Sequence, residues 1–191
     1  GPLTLRTFDM GGDKFPLASG PREPNPALGQ RSLRLAMAHP EIFKAQVRGF
    51  LRALSEKPSV QMRIMFPLVT SVSEFVKARD LVAECERELM EEGYDVPKHY
   101  QVGAMLEVPA AMMAADALSR YCQFFSIGSN DLIQYALAVD RGNERVAALY
   151  QGLHPGVLRM IAHAIQAARE AQIDISLCGD LATEPIPALL L

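Results

Sequence analysis

The chain has 191 residues, of which 49% are hydrophobic and 21% charged, and its formal net charge is −3. A chain of this length can bury a sizeable core, so we expect one domain over residues 1–191. The mildly acidic net charge argues against a general nucleic-acid binder, which normally presents a basic face. No apolar run reaches the roughly 20 residues that span a bilayer. The chain does not open on a signal-peptide pattern, so we expect a cytoplasmic protein without membrane insertion.

The first predicted strand covers residues 3–8, where apolar and polar residues alternate with period two. Leu3 and Leu5 share one face, so Arg6 leaves the opposite face near the carboxyl end of the strand. A predicted loop over residues 9–25 follows. Loops of this length are uncommon in compact α/β units and are often functional.

The next part of the chain is predicted to form two helices, a strand and a long helix, over residues 31–37, 41–55, 60–69 and 71–93. We expect a break between the first two helices at His39-Pro40, because the residue before a proline avoids the helical conformation. The long helix is amphipathic and opens on a capping box formed by Ser71 and Glu74. Gly93 is its predicted stop.

Two further predicted strands end in polar side chains. Residues 101–108 alternate, and Glu107 lies at the carboxyl end of that strand. Residues 124–127 are an apolar strand, followed at once by the sequence Gly-Ser-Asn-Asp. We therefore predict Asn130 and Asp131 on the loop at the end of the strand, although such pairs often merely cap the next helix.

The remaining predicted elements are helices over residues 110–119 and 155–171 and a last strand over residues 173–178. Cys178 ends that strand and is followed by Gly-Asp. Arg141 lies within Asp-Arg-Gly-Asn, which is a turn signal, and its guanidinium has donors suited to a phosphate or a carboxylate.

The strand ends predict a common site. Arg6, Glu107, Asn130 with Asp131, and Cys178 all lie where parallel strands end, which is where ligands bind in α/β sheets and barrels. Asp131 can bind a hard cation, and Asn130 can hydrogen-bond an oxyanion. A repeated β/α rhythm without a dinucleotide glycine fingerprint favours a (β/α)8 barrel over a doubly wound sheet. A whole barrel takes about 250 residues, so we interpret the chain as an incomplete barrel from a larger multidomain protein.

Six motifs carry a family resemblance over nearly the whole chain. In order they are RTFDMGGDK at residues 6–14, NPALGQRSLR at 25–34, RIMFPLV at 63–69, LEVPAA at 106–111, FFSIGSNDLIQYALAVDRGN at 124–143 and LCGDLA at 177–182. They resemble the phosphoenolpyruvate (PEP)-binding barrel of enzyme I of the bacterial sugar phosphotransferase system, or of its nitrogen-related paralogue.

The resemblance implies a role for each candidate residue. It implies PEP-binding arginines at Arg6, Arg31 and Arg141, substrate contacts at Asn130 and Asp131, magnesium ligands at Glu107 and Asp131, and at Cys178 the acid that protonates the enolate carbon. Because PEP carries two anionic groups, several arginines and Mg²⁺ can hold it. A thiol is mostly protonated at neutral pH and can serve as an acid.

The resemblance also implies partners. PEP would pass its phosphoryl group to a histidine on a separate domain and through it to a small phosphocarrier protein, and the full-length protein would be a homodimer. In the family that histidine follows Thr or Ser in a Gly-rich motif. None of His39, His99, His154 and His163 has this setting, so we expect weak or no activity of the chain alone. Where the family has Glu after Cys-Gly, this chain has the shorter Asp180.

Two other functions stay open at this point. One is a lyase or aldolase on a related PEP/pyruvate barrel, and the other is a non-catalytic sensor whose PEP occupancy controls dimerisation. For single residues, Glu107 could instead pair with an arginine, and Cys178 could be an inert buried thiol. Cys85 and Cys122 are predicted to be structural. Lys14 and Asp13, on the loop after the first strand, are further candidates for the site.

Overall fold

Strands followed by helices make up both units into which the chain divides. The structure, a computed structural model, describes residues 1–11 and 23–183, so the candidates Asp13 and Lys14 lie outside the described residues. The first unit comprises residues 1–68 and 73–102, and the second comprises residues 69–72 and 103–191. The prediction of one domain over the whole chain stays a prediction.

The first unit contains two parallel strands and three helices. These are β1 (Leu3–Arg6), β2 (Met62–Phe66), α1 (Ser32–Ala38), α2 (Pro40–Glu56) and α3 (Val72–Glu91). β1 and β2 pair in parallel, with Arg6 beside Met65. Leu3 is 51% exposed, so the apolar face of β1 is open to solvent at the start of the strand.

Aromatic side chains form the centre of the first unit. Phe66, on β2, lies between Phe43 of α2 and Phe75 of α3, with ring centroids 5.7 and 5.5 Å apart and tilted rings. Tilted rings at this spacing are a favourable arrangement for aromatic pairs. β2 ends at Phe66, directly before Pro67, because Pro67 has no backbone N–H to continue the ladder.

The second unit is built on three parallel strands. β3 (Gln101–Leu106) enters it at Gly103 and pairs with β4 (Phe124–Gly128), which pairs with β5 (Asp174–Cys178). The helices of this unit are α4 (Pro109–Met113), α5 (Ala115–Leu118), α6 (Ser129–Leu137) and α7 (Pro155–Ala171). Short 3-10 turns follow at Ala147–Leu149 and Asp180–Ala182.

Most predicted elements are confirmed, with one helix divided in two. α7 has the predicted bounds, and α1 and α2 are separated at His39 as expected. α3 is stopped by Gly93, whose φ is +91°, as predicted. The single helix predicted over residues 110–119 is wrong, because Ala114 leaves the helical conformation and separates α4 from α5. Within the described ranges, no helix is both long and apolar enough to cross a membrane.

Candidate functional site

The carboxyl ends of β3, β4 and β5 lie side by side and bring Glu107, Gly128 and Cys178 to the same level. Gly128 is the register partner of Cys178, and the residues just before Glu107 and Gly128 are also register partners. Glu107 is only 2% exposed. Its carboxylate lies over Gly128, so that a Cβ at position 128 would come 2.5 Å from Oε2. The missing side chain of Gly128 is what makes room for the buried carboxylate.

Asn130 and Asp131 lie in the first turn of α6, so their predicted placement on a loop is wrong. The helix begins at Ser129, directly after β4, and its N-cap is Gly128. The capping alternative is also wrong, because neither residue is the N-cap. Asp131 is 4% exposed. The partial positive charge of a helix N-terminus stabilises a carboxylate there.

The first turn of α6 is tied to the turn that follows β5. Ser129 Oγ donates a hydrogen bond to the carbonyl oxygen of Cys178 at 2.8 Å. The backbone N–H of Asp180 donates to Oδ1 of Asn130 at 3.0 Å. Because the amide oxygen of Asn130 is held in this way, its amino group is the end that remains to meet a ligand.

Gly179 is the residue that permits this contact. Its φ is +97°, and a Cβ there would lie 2.9 Å from Asn130 Oδ1 and closer still to Ser129 Oγ.

We expect Gly179→Ala to lower the free energy of unfolding by about 1–3 kcal/mol, the usual cost of a side chain held at positive φ. Urea unfolding measures this. Gly49→Ala is the matched control, since Gly49 has open space around it inside α2 and the change should not destabilise. Equal stability of Gly179→Ala and the wild type would contradict the prediction.

Arg141 is positioned by two side chains of α6. Its backbone N–H donates to Gln134 Oε1 at 3.1 Å, and its Nη2 lies 3.6 Å from Asp131 Oδ1.

The Tyr150 hydroxyl donates to the carbonyl oxygen of Asn130 at 2.9 Å. Burial raises the pKa of Tyr150, and the nearby Arg141 guanidinium opposes that shift. The phenol therefore stays protonated at neutral pH and can act as this donor.

Cys178 lies at the end of β5, as predicted, and its sulfur has two polar neighbours. Sγ donates to the carbonyl oxygen of Ile127 at 3.4 Å, and the Ser126 hydroxyl donates to Sγ at 3.7 Å. Cys178 is partly exposed, whereas Cys85 and Cys122 are buried. Burial raises the pKa of Cys85 to about 11, so that thiol stays protonated at neutral pH.

In the first unit, Arg6 and Arg31 meet at Asp9. Arg31 is buried, with 1% of its side chain exposed, and its Nη2 donates to both carboxylate oxygens of Asp9, at 3.0 and 3.1 Å. Nη1 of Arg6 lies 3.5 Å from Asp9 Oδ2, and 42% of its side chain is exposed. Removing one partner of a buried ion pair is strongly destabilising, so Asp9 holds Arg31 in place.

A family model described as "PEP-utilising enzyme, PEP-binding domain" matches residues 1–191. The chain belongs to this family. It is 43% identical over 194 residues to the phosphoenolpyruvate-protein phosphotransferase of Bacillus sp. (strain S), covering 99% of this chain and 33% of that protein. It is 41% identical over 191 residues to the protein of the same name from Bacillus subtilis (strain 168), covering 98% of this chain and 33% of that protein. The chain thus spans about a third of the length of the curated relatives it matches.

A solved structure supports the predicted fold of this PEP-binding domain. The structure of a citrate lyase from Burkholderia xenovorans LB400 matches with a TM-score of 0.54, covering 73% of this chain and 43% of that one. At 19% identity this similarity shows the fold alone. Together with the family match, it confirms the α/β fold of the PEP/pyruvate barrel type.

The PEP-binding domain contains several site neighbours that the sequence did not single out. They are Asp9 beside the arginines of the first unit, and Ser126, Ser129, Gln134, Tyr150 and Gly179 in the second. Gly179 carried a usable signal, because glycine directly after a strand often marks a positive φ. The others act through contacts between distant parts of the chain, which periodicity does not reveal.

The two carboxylates near the strand ends suit Mg²⁺ in a mode in which water and substrate supply the other ligands. In the part of the PEP-binding domain that the structure describes, no group of three or more His, Cys, Asp or Glu side chains is arranged to hold a metal ion. Magnesium, however, is commonly bound by one or two carboxylates, with water and substrate phosphate completing its shell. Glu107, over Gly128, and Asp131, three residues beyond Gly128, are two buried carboxylates suited to that mode.

Proposed function

We propose that this domain binds PEP together with Mg²⁺ and supports transfer of the phosphoryl group to a histidine on a separate domain, releasing pyruvate. The observation that carries the proposal is the convergence of Glu107, Asp131, Arg141, Asn130 and Cys178 on the strand ends of the second unit. The family match and the name of the curated relatives support the same reaction.

The polar groups of the second unit suit a ligand with two anionic groups. Arg141 is 30% exposed at its side chain and offers a guanidinium, and Asn130 offers the amino group of its amide. Glu107 and Asp131 would hold Mg²⁺, which when bound would supply positive charge to the phosphoryl oxygens.

Cys178 is proposed as the acid that completes the reaction. After the phosphoryl group has left, the enolate of pyruvate needs a proton on its methylene carbon. The thiol would give up its proton as the C–H bond forms and the S–H bond breaks, leaving the electron pair on sulfur. The partial exposure of Cys178 gives the sulfur access to a ligand at the strand ends.

The remaining roles belong to the whole protein or come from the resemblance. Arg6 and Arg31 are proposed to bind PEP. The full-length protein is proposed to be a cytoplasmic homodimer that passes the phosphoryl group to a small phosphocarrier protein of a phosphotransferase system. Since none of the four histidines has the setting expected of the phosphate acceptor, that group is proposed to lie on another domain.

Calorimetry on the chain and on the full-length protein tests the proposal. We expect PEP to bind in the presence of Mg²⁺ and to bind much more weakly after Mg²⁺ is chelated, because two buried carboxylates without the cation would repel the ligand. Pyruvate is the matched control, since it lacks the phosphoryl group and should bind more weakly than PEP under the same conditions. Absence of PEP binding in both proteins with Mg²⁺ present would overturn the proposed function.

A further inference from the structure

We propose that Ser126 is a positioning residue for the Cys178 thiol, donating a hydrogen bond that stabilises the sulfur as it loses its proton. This inference rests on the proposed function, in which Cys178 protonates the enolate. Ser126 lies inside β4, in the apolar part of the motif at residues 124–143, and no role follows for it from the sequence alone.

The register of β4 and β5 sets the geometry. Ser126 pairs with Ser176, and two residues further along Gly128 pairs with Cys178. Side chains two positions apart on a strand point to the same face, so Ser126, Ser176 and Cys178 lie on one face of the sheet. Gly128, between Ser126 and the ligand end of the strand, carries no side chain, and Glu107 occupies the space above it. The buried Ser126 hydroxyl therefore reaches across to the sulfur, at 3.7 Å.

The two polar neighbours of the sulfur act differently during proton transfer. The Ile127 carbonyl accepts a hydrogen bond from the thiol at 3.4 Å, but a carbonyl has no proton to offer a thiolate. The Ser126 hydroxyl is a donor, and a hydrogen bond to a charged acceptor is about twice as strong as one between neutral groups. Its bond to sulfur therefore strengthens as the S–H bond breaks. Ser126 keeps its own proton, and solvent reprotonates the sulfur.

Ser176 supplies a matched control within the same strand pair. It is the register partner of Ser126 and lies on the same face, but its hydroxyl donates to the carbonyl oxygen of Phe125, at 3.5 Å, rather than to sulfur. Replacing either serine by alanine removes one hydroxyl from the same layer of the sheet. Because Ser126 is buried and Ser176 is exposed, a second variant, Ser126→Thr, separates the contact with Cys178 from the loss of a buried group.

The rate of alkylation of Cys178 by iodoacetamide tests the inference, because the thiolate is the reacting form. Peptide mass spectrometry separates Cys178 from the buried Cys85 and Cys122. At neutral pH we expect Ser126→Ala to react about tenfold more slowly than the wild type, the size expected for one hydrogen bond to a charged group. Ser176→Ala should react like the wild type, and Ser126→Thr, which keeps the hydroxyl, should restore most of the rate.

A second measurement at alkaline pH separates positioning from altered access. Once the thiol is fully ionised in both proteins, the hydrogen bond no longer changes the fraction of thiolate, so Ser126→Ala and the wild type should react at similar rates. Equal rates at neutral pH, or an equal slowing at both pH values, would overturn the role of Ser126. The proposed function would fail on a different result, namely absence of PEP binding with Mg²⁺ present, and the acid role of Cys178 would fail if pyruvate forms normally when Cys178 itself is replaced.

Discussion

Cys178→Ala in the full-length protein should still bind PEP with Mg²⁺ but should form pyruvate about 10² to 10⁴ times more slowly. This is the usual contribution of a positioned proton donor. Binding should persist because it rests on the arginines, Asn130 and the metal rather than on the thiol. Coupled assay of pyruvate measures the rate, and calorimetry measures the binding. Exchange of the methyl hydrogens of pyruvate in deuterated water follows the same proton transfer in reverse.

Cys122→Ala is the matched control for this experiment. Cys122 is also in the second unit but is buried, and it lies between α5 and β4 rather than at the end of a strand. Since Cys122 lies before the start of β4, away from the strand ends that hold the candidate site, pyruvate formation should stay within a few-fold of the wild type. Normal pyruvate release by Cys178→Ala would mean that water or another group is the acid, and Cys178 would then be a structural thiol.

Glu107→Ala should abolish the Mg²⁺-dependent part of PEP binding. Glu107 and Asp131 are the buried carboxylates among the described residues of the second unit, and the loss of one leaves too few hard oxygen ligands for the cation. Calorimetry with PEP, at several concentrations of Mg²⁺, measures the effect. Glu107→Gln tests the same ligand with the shape of the side chain preserved, and it should also lose most of the metal dependence.

Glu144→Ala is the control for the loss of a carboxylate, because Glu144 is exposed in the second unit. It should bind PEP and Mg²⁺ like the wild type. Thermal unfolding of all three variants shows whether the fold persists, since Glu107 is packed over Gly128. A folded Glu107→Gln protein with undiminished Mg²⁺-dependent affinity would exclude Glu107 as a metal ligand.

The sequence predicted elements well where one local signal decided the conformation. The amphipathic period and the proline at position 155 predicted the bounds of α7. Gly93 predicted the end of α3, because the residue after a helix often adopts the positive φ that glycine tolerates. It failed at α6, because we expected a loop between β4 and the helix. Gly128 instead ends the strand and caps the helix, so no loop residue is needed.

The chemical types of the candidate residues were predictable, but their partners were not. Asp9 was assigned to a loop, yet its carboxylate holds the buried Arg31 across 22 positions of sequence. Tyr150 reaches the backbone of Asn130 across 20 positions. Contacts of this kind depend on how the chain returns to the same place, and no local period or turn signal records that path.

The hydrogen bond from Asp180 to Asn130 joins positions 50 residues apart. A protein cut just before Gly179 would retain all of β4, α6 and Arg141, and every candidate ligand-binding group on them. It would nevertheless free the amide of Asn130 to rotate, so that oxygen or nitrogen could face the ligand. The polar atom that the Asn130 amide presents to a ligand is thus set by the turn that follows β5, a segment that contains none of those ligand-binding groups.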